Sequence, residues 1–325
     1  MSDILLSICI PTYNRSGLLR QSLEQLLPQT EAEPEVEIIC SDNASSDDTA
    51  GVLREVAARA SQFRILMQPQ NLGTERNIIE LARQARGKYL WFIPDDDFIM
   101  PGALPRIVAL LRRDVDGIVC NFEMRSRDMQ TLLKLRRFRN RGPEVTSRAD
   151  LMARFGVELS YFGSFIQRRN WFLAAAEQAG PYLDNGFVFL WSVYAVLPAS
   201  GLHIAYLSEP VIRYRAENSN LPDWYHYFVT GVSQVFQGLR ARGYHPRDLR
   251  KAGAHLLRAY VAGQIRRERV ELGGLSAATA RVLWQTFSRH WAYWWYCIPW
   301  ILMPPALIRG LKQSYHWAVA WRTGQ

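Results

Sequence analysis

The first hundred residues alternate between short apolar runs and longer amphipathic segments. The apolar runs over 4–10, 36–40, 64–67 and 89–93 are typical of β-strands, and the segments between them place apolar residues at helical spacing. Gly87 is predicted to close the third helix as a left-handed C-cap. Strands that alternate with helices in this way imply a mostly parallel sheet with helices on both faces, so we predict an α/β fold.

The last of these predicted strands leads directly into three carboxylates. Five large apolar residues, Tyr89 to Ile93, are followed after one proline by Asp95, Asp96 and Asp97. Adjacent carboxylates repel one another, so this loop is costly unless water solvates it or a hard cation such as Mg²⁺ or Mn²⁺ neutralises it. The structural alternative is a solvated acidic turn before a helix that begins at Pro101.

Other polar loops follow the neighbouring predicted strands. They are the segment from Pro11 to Arg15 and the loop that begins with Asp42. In open parallel sheets, ligands bind outside the carboxyl ends of the strands, so we expect these loops and the Asp95 triplet to meet at one crevice. No Gly-rich dinucleotide motif or P-loop follows any of the strands. A metal ion on the carboxylates is therefore the expected means of holding phosphate.

Composition restricts the partners and the compartment. The 325 residues carry a formal charge of +9, which suits an anionic partner such as a nucleotide, a nucleic acid or an acidic membrane face. The basic residues follow no RRM, KH or helix-turn-helix pattern, so we expect no nucleic acid. The four cysteines are far apart without CxxC spacing, and the N-terminus lacks the pattern of a secretory signal. These features predict a cytoplasmic protein with buried thiols.

Four linked motifs resemble those of a known enzyme family. In their order and spacing they resemble the inverting glycosyltransferases of family two, which have a GT-A fold and build bacterial surface polysaccharides such as O-antigen. The resemblance covers roughly the first 120 residues and extends more weakly to about residue 220. The motifs are SICIPTYNR at 7–15, SDNASSDDT at 41–49, NLG at 71–73 and DDD at 95–97.

The resemblance implies a domain plan and a ligand. We expect a Rossmann-like GT-A domain over 1–220, with a nucleotide-binding half at 1–120 and an acceptor half at 121–220. A helical C-terminal region is expected over 221–325. The implied donor is a nucleotide sugar. The implied acceptor is a glycan hydroxyl, plausibly on a polyprenyl diphosphate carrier.

The resemblance also implies site residues at the sheet edge. The metal, Mg²⁺ or Mn²⁺, is expected on Asp96 and Asp97, although Pro94 stands where the commoner Asp-x-Asp-Asp pattern has its first carboxylate. Arg76 resembles an arginine that approaches the nucleotide, and its alternative is a solvated charge on a helix. The nucleotide sugar is expected to contact Pro11, Thr12, Tyr13, Arg15, Asp42, Arg76, Asp95 and Asp96.

The catalytic base is the least defined part of this prediction. An inverting transfer must remove the proton of the acceptor hydroxyl, and relatives place a Glu-Asp pair shortly after the acceptor-side strand. In the corresponding stretch here, Tyr182 to Trp191, the single carboxylate is Asp184. We predict Asp184 as the base, with Glu217 and Asp223 in reserve, although a turn or cap residue is the alternative. The missing pair also leaves open a catalytically inactive nucleotide-sugar-binding scaffold at the membrane.

Two basic or aromatic stretches remain. The run from Arg125 to Arg141 suits either a solvated hairpin or an anionic acceptor, and Arg213 or Arg215 is expected near phosphate. The stretch 291–308 is uncharged and rich in Trp and Tyr, but three prolines interrupt it. We predict that it lies in the interface of the inner face of the cell membrane, assisted by Arg309, Lys312 and Arg322. The alternative is an aromatic helix pair packed on the catalytic domain or on another copy of the chain.

Overall fold

The computed structural model describes residues 4–135, 138, 142, 144–216 and 224–310. The chain divides into two compact units, Met1–Asn220 and Leu221–Gln325. The predicted reserve bases Glu217 and Asp223, and the basic residues Lys312 and Arg322, lie outside the described residues. The same is true of most of the basic run beyond residue 135.

The N-terminal half of the first unit is built from four parallel strands in the order β3-β2-β1-β4. Helices connect successive strands, as the sequence pattern predicts. The elements are β1 (Leu6–Thr12), α1 (Ser16–Thr30), β2 (Val36–Asp42), α2 (Thr49–Arg59), β3 (Phe63–Met67), α3 (Thr74–Gln84) and β4 (Tyr89–Phe92).

The remaining strands extend the same sheet. Strand β9 lies antiparallel between β4 and β6, and β10 runs parallel to β6. The predicted mostly parallel α/β fold is confirmed. The elements are β5 (Phe98–Ile99), α4 (Ala103–Leu111), β6 (Gly117–Arg125), β7 (Leu132–Lys134), β8 (Glu144–Ser147), α5 (Arg148–Arg154), β9 (Phe165–Arg168), α6 (Arg169–Ala176), α7 (Val188–Tyr194) and β10 (Ser200–Arg215).

Strand β4 is the centre of the core and leads to the acidic triplet. All four of its residues are fully buried, because neighbours cover both faces of the sheet. The ring of Phe92 lies 5.0 Å from that of Phe172 and 5.9 Å from that of Phe189. The indole of Trp91 donates a hydrogen bond to the carbonyl of Gly163 at 3.0 Å. This packing fixes the direction in which the chain leaves β4 and continues to the three carboxylates.

The predicted left-handed cap at Gly87 is wrong, but the glycine has another reason. Helix α3 ends at Gln84 with Ala85 extended, and Gly87 is not among the residues with positive φ. A side-chain carbon at position 87 would lie 2.5 Å from the amide nitrogen of Ser7 in β1. The residue is therefore small because the backbone of β1 passes it closely.

We expect Gly87→Ala to destabilise the first unit by about 1–3 kcal/mol, because the added methyl meets backbone that cannot move without disturbing β1. Thermal unfolding followed by circular dichroism would measure the loss. Gly180→Ala is the matched control, since a methyl there would have no atom within 4 Å. Equal melting temperatures for the two variants would contradict this account of Gly87.

The second unit is helical in its described part. Its long helix runs through α9 (Pro246–Leu256), a π-helical turn (Leu257–Val261) and α10 (Ala262–Glu271). The other elements are a π-helical turn (His226–Gly231), α8 (Val232–Ala241), α11 (Ala277–Phe287), α12 (Trp291–Tyr296) and α13 (Ile298–Leu302). None of the helices in the described ranges has the length and apolar character needed to cross a bilayer.

Candidate active site

The loops after β1 and β2 are joined to each other at the carboxyl edge of the sheet. The amide of Asn43 donates to the carbonyl of Thr12 at 3.0 Å, and the amide of Gln68 donates to the carbonyl of Asp42 at 2.9 Å. The side chain of Asn43 also bonds Asn71, at 2.9 Å. Three of the four sequence motifs are thus linked by hydrogen bonds near one edge.

The acidic triplet joins this edge through Thr12 and Arg15. The hydroxyl of Thr12 donates to Oδ2 of Asp95 at 2.7 Å. The guanidinium of Arg15 lies 3.0 Å from Oδ1 of Asp95 and 3.2 Å from Oδ2 of Asp96. Both carboxylates are buried, whereas the Arg15 side chain is about one third exposed. A cation is therefore held between the first two carboxylates of the triplet.

Asp97 has a different environment from its two neighbours. Its Oδ1 accepts a hydrogen bond from the amide of Arg215 at 2.7 Å, and its Oδ2 accepts one from the hydroxyl of Tyr161 at 2.5 Å. Its carbonyl accepts a further bond, at 2.8 Å, from the hydroxyl of Ser22. Asp97 therefore ties the triplet to β10 and to the segment before β9. Tyr161 carries no sequence signal, because 64 residues separate it from Asp97.

The side chain of Arg215 also forms a hydrogen bond with the backbone of the triplet. Its Nε donates to the carbonyl of Asp96 at 3.0 Å and its Nη1 to the carbonyl of Arg127 at 2.7 Å. Arg213, the other arginine predicted near phosphate, pairs with Glu123 at 3.0 Å. Both arginines thus make contacts within the protein, and Arg215 is buried.

Burial dominates the electrostatics of the triplet. It raises the pKa of Asp95 to about 6, although Arg15 and Thr12 oppose the shift. It raises the pKa of Asp97 well above its ordinary value, and the neighbouring charge of Asp96 adds to the effect. Burial alone would lower the pKa of Arg15, but Asp95 and Asp96 outweigh it and the pKa is raised. Burial thus disfavours the charged forms of Asp95 and Asp97 more than their hydrogen-bond and ion-pair partners favour them.

The donor set fits a hard divalent cation. Carboxylate oxygens are the ligands that Mg²⁺ and Mn²⁺ prefer, and Mg²⁺ is commonly held by one or two carboxylates together with substrate phosphates. Asp96 already faces a cationic group, Arg15. In the part of the chain that the structure describes, no three His, Cys, Asp or Glu side chains form a complete metal cluster. A metal here would need ligands from a bound diphosphate or from water.

The residues predicted to line a base pocket lie beside this network. Tyr13 is 44% exposed, so its ring is available for stacking at a largely polar edge. Pro11 is half-buried. Asp42 is buried, and its Oδ1 accepts a hydrogen bond from the amide of Ser45 at 3.0 Å. The arrangement offers an aromatic face next to fixed polar groups.

A second group of predicted residues meets at the start of α3. Asn77 accepts a hydrogen bond at 2.6 Å from Ser41, the residue before Asp42, which holds this helix end near the edge of β2. Arg76 forms an ion pair at 3.0 Å with Asp184, the predicted base. The Asp184 side chain is 84% exposed. The tertiary structure therefore brings together two predicted site residues that are 108 positions apart.

Glu75 is a buried carboxylate that the sequence analysis missed. One oxygen accepts a hydrogen bond from the amide of Val188 at the start of α7, and Oε2 has no hydrogen-bond partner within the described residues. Burial raises the pKa of Glu75 to about 8. Its spacing from Ile78, Ile79 and Ala82 places it on the apolar face of α3, which was the available sequence signal.

We expect Glu75→Gln to stabilise the protein at alkaline pH. Between pH 4.5 and about 8 the unfolded chain releases a proton that the folded chain keeps, so the wild-type free energy of unfolding falls as pH rises. The variant lacks this loss. The free energy of unfolding of the variant should exceed that of wild type by more than about 1 kcal/mol at pH 8.5, and the difference should vanish near pH 4. Chemical denaturation would measure both values. Glu80→Gln, near the surface of the same helix, should show no such pH trend. A pH-independent difference for Glu75→Gln would refute the buried-carboxyl account.

The chain belongs to glycosyltransferase family 2, because the family model named Glycosyl transferase family 2 matches residues 7–173. It is a glycosyltransferase with a GT-A fold. The abequosyltransferase RfbV of Salmonella typhimurium is 26% identical over 67% of this chain and 68% of its own length. The GalNAc(5)-diNAcBac-PP-undecaprenol beta-1,3-glucosyltransferase of Campylobacter jejuni is 33% identical over 32% of this chain and 33% of its own.

Solved structures share the fold at low sequence identity. TarS 1-349 of S. aureus in complex with UDP-GlcNAc superposes with a TM-score of 0.62 at 14% identity, over 88% of this chain and 82% of that one. The mannosyltransferase PcManGT of Pyrobaculum calidifontis, in complex with GDP-Man and Mn²⁺, gives a TM-score of 0.52 at 17% identity. That match covers 86% of this chain and 78% of the other. These likenesses confirm the fold that the sequence motifs imply.

Proposed function

We propose that this chain is a metal-dependent inverting glycosyltransferase. It would move a sugar from a nucleotide-sugar donor to a hydroxyl of a lipid-linked glycan during surface polysaccharide synthesis. The observation that carries the proposal is the network in which Thr12 and Arg15 hold Asp95 and Asp96 at the carboxyl edge of the parallel strands. Membership of family 2 and the similarity to RfbV support the reaction class.

The donor would bind across the linked loops. The exposed ring of Tyr13 would stack on the nucleobase, with Pro11 and Thr12 completing that wall. Asp42 would accept hydrogen bonds from the base or the ribose. Arg15 would turn from Asp95 and Asp96 toward the diphosphate once a metal takes over the neutralisation of these carboxylates. Asp95 would then be available to the ribose.

The metal would lie on Asp96, with Asp97 beside it. Asp97 already accepts hydrogen bonds from Arg215 and Tyr161, so its main contribution would be to hold the loop and to add negative charge. When bound, Mg²⁺ or Mn²⁺ would stabilise the charge that develops on the leaving diphosphate. A protein of the same fold has been solved in complex with GDP-Man and Mn²⁺, which supports the proposal that a metal is used.

We expect Asp96→Asn to weaken nucleotide binding in the presence of Mn²⁺ by at least about tenfold, because a disturbed ligand set typically costs that much metal affinity. Calorimetry with UDP, GDP, CDP and dTDP, with and without Mn²⁺, would measure it. Asp150→Asn on α5 is the control for loss of one carboxylate. Metal-independent binding that is equal in wild type and Asp96→Asn would contradict the metal site. Failure of every nucleotide to bind wild type would overturn the donor site itself.

Asp184 is the proposed general base. It would accept the proton of the acceptor hydroxyl as the hydroxyl oxygen attacks the anomeric carbon, and the electron pair of the broken bond would leave with the diphosphate. Exposure leaves the carboxylate accessible to an acceptor, and the ion pair with Arg76 orients it. Arg76 lies in the first turn of α3 and would approach the nucleotide from there.

Donor hydrolysis tests this assignment without knowledge of the acceptor. We expect Asp184→Asn to lower kcat for hydrolysis by about 10²-fold or more, the usual contribution of a positioned base, while the donor Kd stays unchanged. The unfolding temperature should also be unchanged, since exposed ion pairs contribute little. Glu177→Gln at the end of α6 is the control. Wild-type turnover in Asp184→Asn would move the base elsewhere. Nucleotide binding without any turnover in wild type would favour an inactive scaffold.

The acceptor and the location follow from chemistry and from relatives. The Campylobacter relative's name specifies an undecaprenol-linked glycan, which supports a polyprenyl diphosphate carrier for the acceptor of this chain. Such an acceptor is anchored in a bilayer, so the protein would work at the inner face of the cell membrane as a peripheral protein. The uncharged aromatic stretch 291–308 and its neighbour Arg309 would supply contacts with the membrane.

A further inference from the structure

The charge of the chain is unevenly distributed. Residues 224–310 contain twelve Arg and Lys against three Asp and Glu, a formal charge of +9. This equals the charge of the whole chain, so the other residues are balanced. A partner that neutralises the basic excess must therefore contact the second unit. The acidic triplet and its ligands lie in the first unit and do not account for it.

Part of this excess gathers in a groove of about 380 Å³ in the second unit, called here the cationic groove. Four of its cations follow one face of the long helix at spacings of three, four and eleven residues. Tryptophan and tyrosine from α12 form another wall. The lining residues are Arg247, Arg250, Lys251, Ala254, His255, Arg258, Trp291 and Tyr296.

The cations of the groove are not neutralised by carboxylates within the described residues. The three acidic residues of 224–310 are Asp248, Glu268 and Glu271, and none of them lines the groove. Glu271 pairs with Arg267 at 3.0 Å, and Glu268 accepts a hydrogen bond from Gln264 at 2.9 Å. Four cations facing one depression without counter-charge require an anionic ligand or a shell of counterions.

Helix α12 is anchored to the long helix in a way that exposes its tryptophans. The ring of His290 lies 3.0 Å from the carbonyl of Arg250, and the sulfur of Cys297 lies 3.9 Å from the carbonyl of Leu257. Tyr293 is buried in the same contact. Elsewhere on α12, Trp291 at the groove is 60% exposed and Trp295 is 72% exposed. Large aromatic rings thus stand in solvent next to the cationic groove.

We propose that the cationic groove and the exposed face of α12 form a binding site for an anionic phospholipid surface. Lipid phosphates would occupy the groove, and Trp291 and Trp295 would enter the headgroup zone, which Trp and Tyr favour. The proposal extends the peripheral location given under the proposed function, and it rests on that function only for its biological purpose. The site places cations beside exposed aromatic rings, and a lipid bilayer places phosphates beside an apolar phase. We therefore assign the site to a bilayer.

Other occupants fit the observations less well. A nucleic acid could use cations and aromatic rings, but the second unit also exposes large aliphatic side chains, Leu302 and Leu307, which would gain nothing from bases and phosphates. A second copy of the chain would bring two cationic surfaces together, which is repulsive. A bilayer offers both the anionic phosphates and the apolar phase.

The test is sedimentation of the full-length protein with vesicles, without nucleotide. Wild type should bind vesicles of phosphatidylcholine mixed with phosphatidylglycerol, bind phosphatidylcholine alone much more weakly, and dissociate as salt is raised. The double variant Lys251→Gln, Arg258→Gln should lose at least about tenfold in partitioning, since each basic residue near an anionic surface contributes several-fold. Trp295→Ala should weaken binding in a salt-independent manner.

Matched variants separate the groove from net charge and from folding. Arg240→Gln with Arg281→Gln removes the same charge from α8 and α11, outside the lining residues, and should bind nearly as wild type does. Met67→Ala removes an exposed apolar side chain from the first unit and should have no effect. Circular dichroism would verify that each variant is folded.

Each remaining outcome decides the question. Equal binding by wild type and the groove variant, or equal binding to neutral and anionic vesicles, would overturn the proposal. So would groove-dependent binding of inorganic pyrophosphate or of a single-stranded oligonucleotide by protein that ignores vesicles. Asp96→Asn should bind vesicles as wild type does. If wild type binds a nucleotide but does not bind vesicles, this lipid site is refuted and the glycosyltransferase proposal still stands.

Discussion

The buried carboxylate of Asp97 is the contact on which the arrangement of the candidate site depends. It accepts hydrogen bonds from the amide of Arg215 and the hydroxyl of Tyr161, so it connects the end of β4 to β10 and to the segment before β9. A buried carboxylate without such donors would be strongly destabilising. The two bonds allow a charged loop to lie at the end of a fully apolar strand. They also leave Asp95 and Asp96 directed toward Arg15.

Burial disfavours the charged form of several carboxyl groups in the first unit. Asp95 and Asp97 have raised pKa values because burial costs more than their partners return, and Glu75 shows the same effect beneath α7. A bound divalent cation would stabilise the charged forms of these buried carboxylates, which burial alone disfavours. Arg15 provides partial neutralisation while its side chain remains one third exposed.

The two units therefore have opposite local chemistry. The sheet edge of the first unit concentrates carboxylates, whereas the second unit carries the basic excess of the chain beside exposed tryptophans. Separate surfaces of opposite charge can serve separate anionic partners, one through a metal and one through direct contact with Arg and Lys. This division agrees with an enzyme that takes a soluble donor and an acceptor anchored in a bilayer.

The sequence by itself determined the alternation of strands and helices, the position of the acidic triplet after β4, and the helical character of the C-terminal third. These depend on local periodicity and on motifs within short stretches. The sequence pattern predicted Gly87 as a helix cap, whereas the residue is small because β1 passes close to it. The pattern did not indicate the hydrogen bond from Tyr161 to Asp97. Both contacts join residues that are far apart in the chain. Only the tertiary structure decided that Arg76 meets Asp184, that Arg215 holds the triplet, and that the cations of α9 face Trp291. Such contacts depend on which faces pack together, which a linear pattern does not specify.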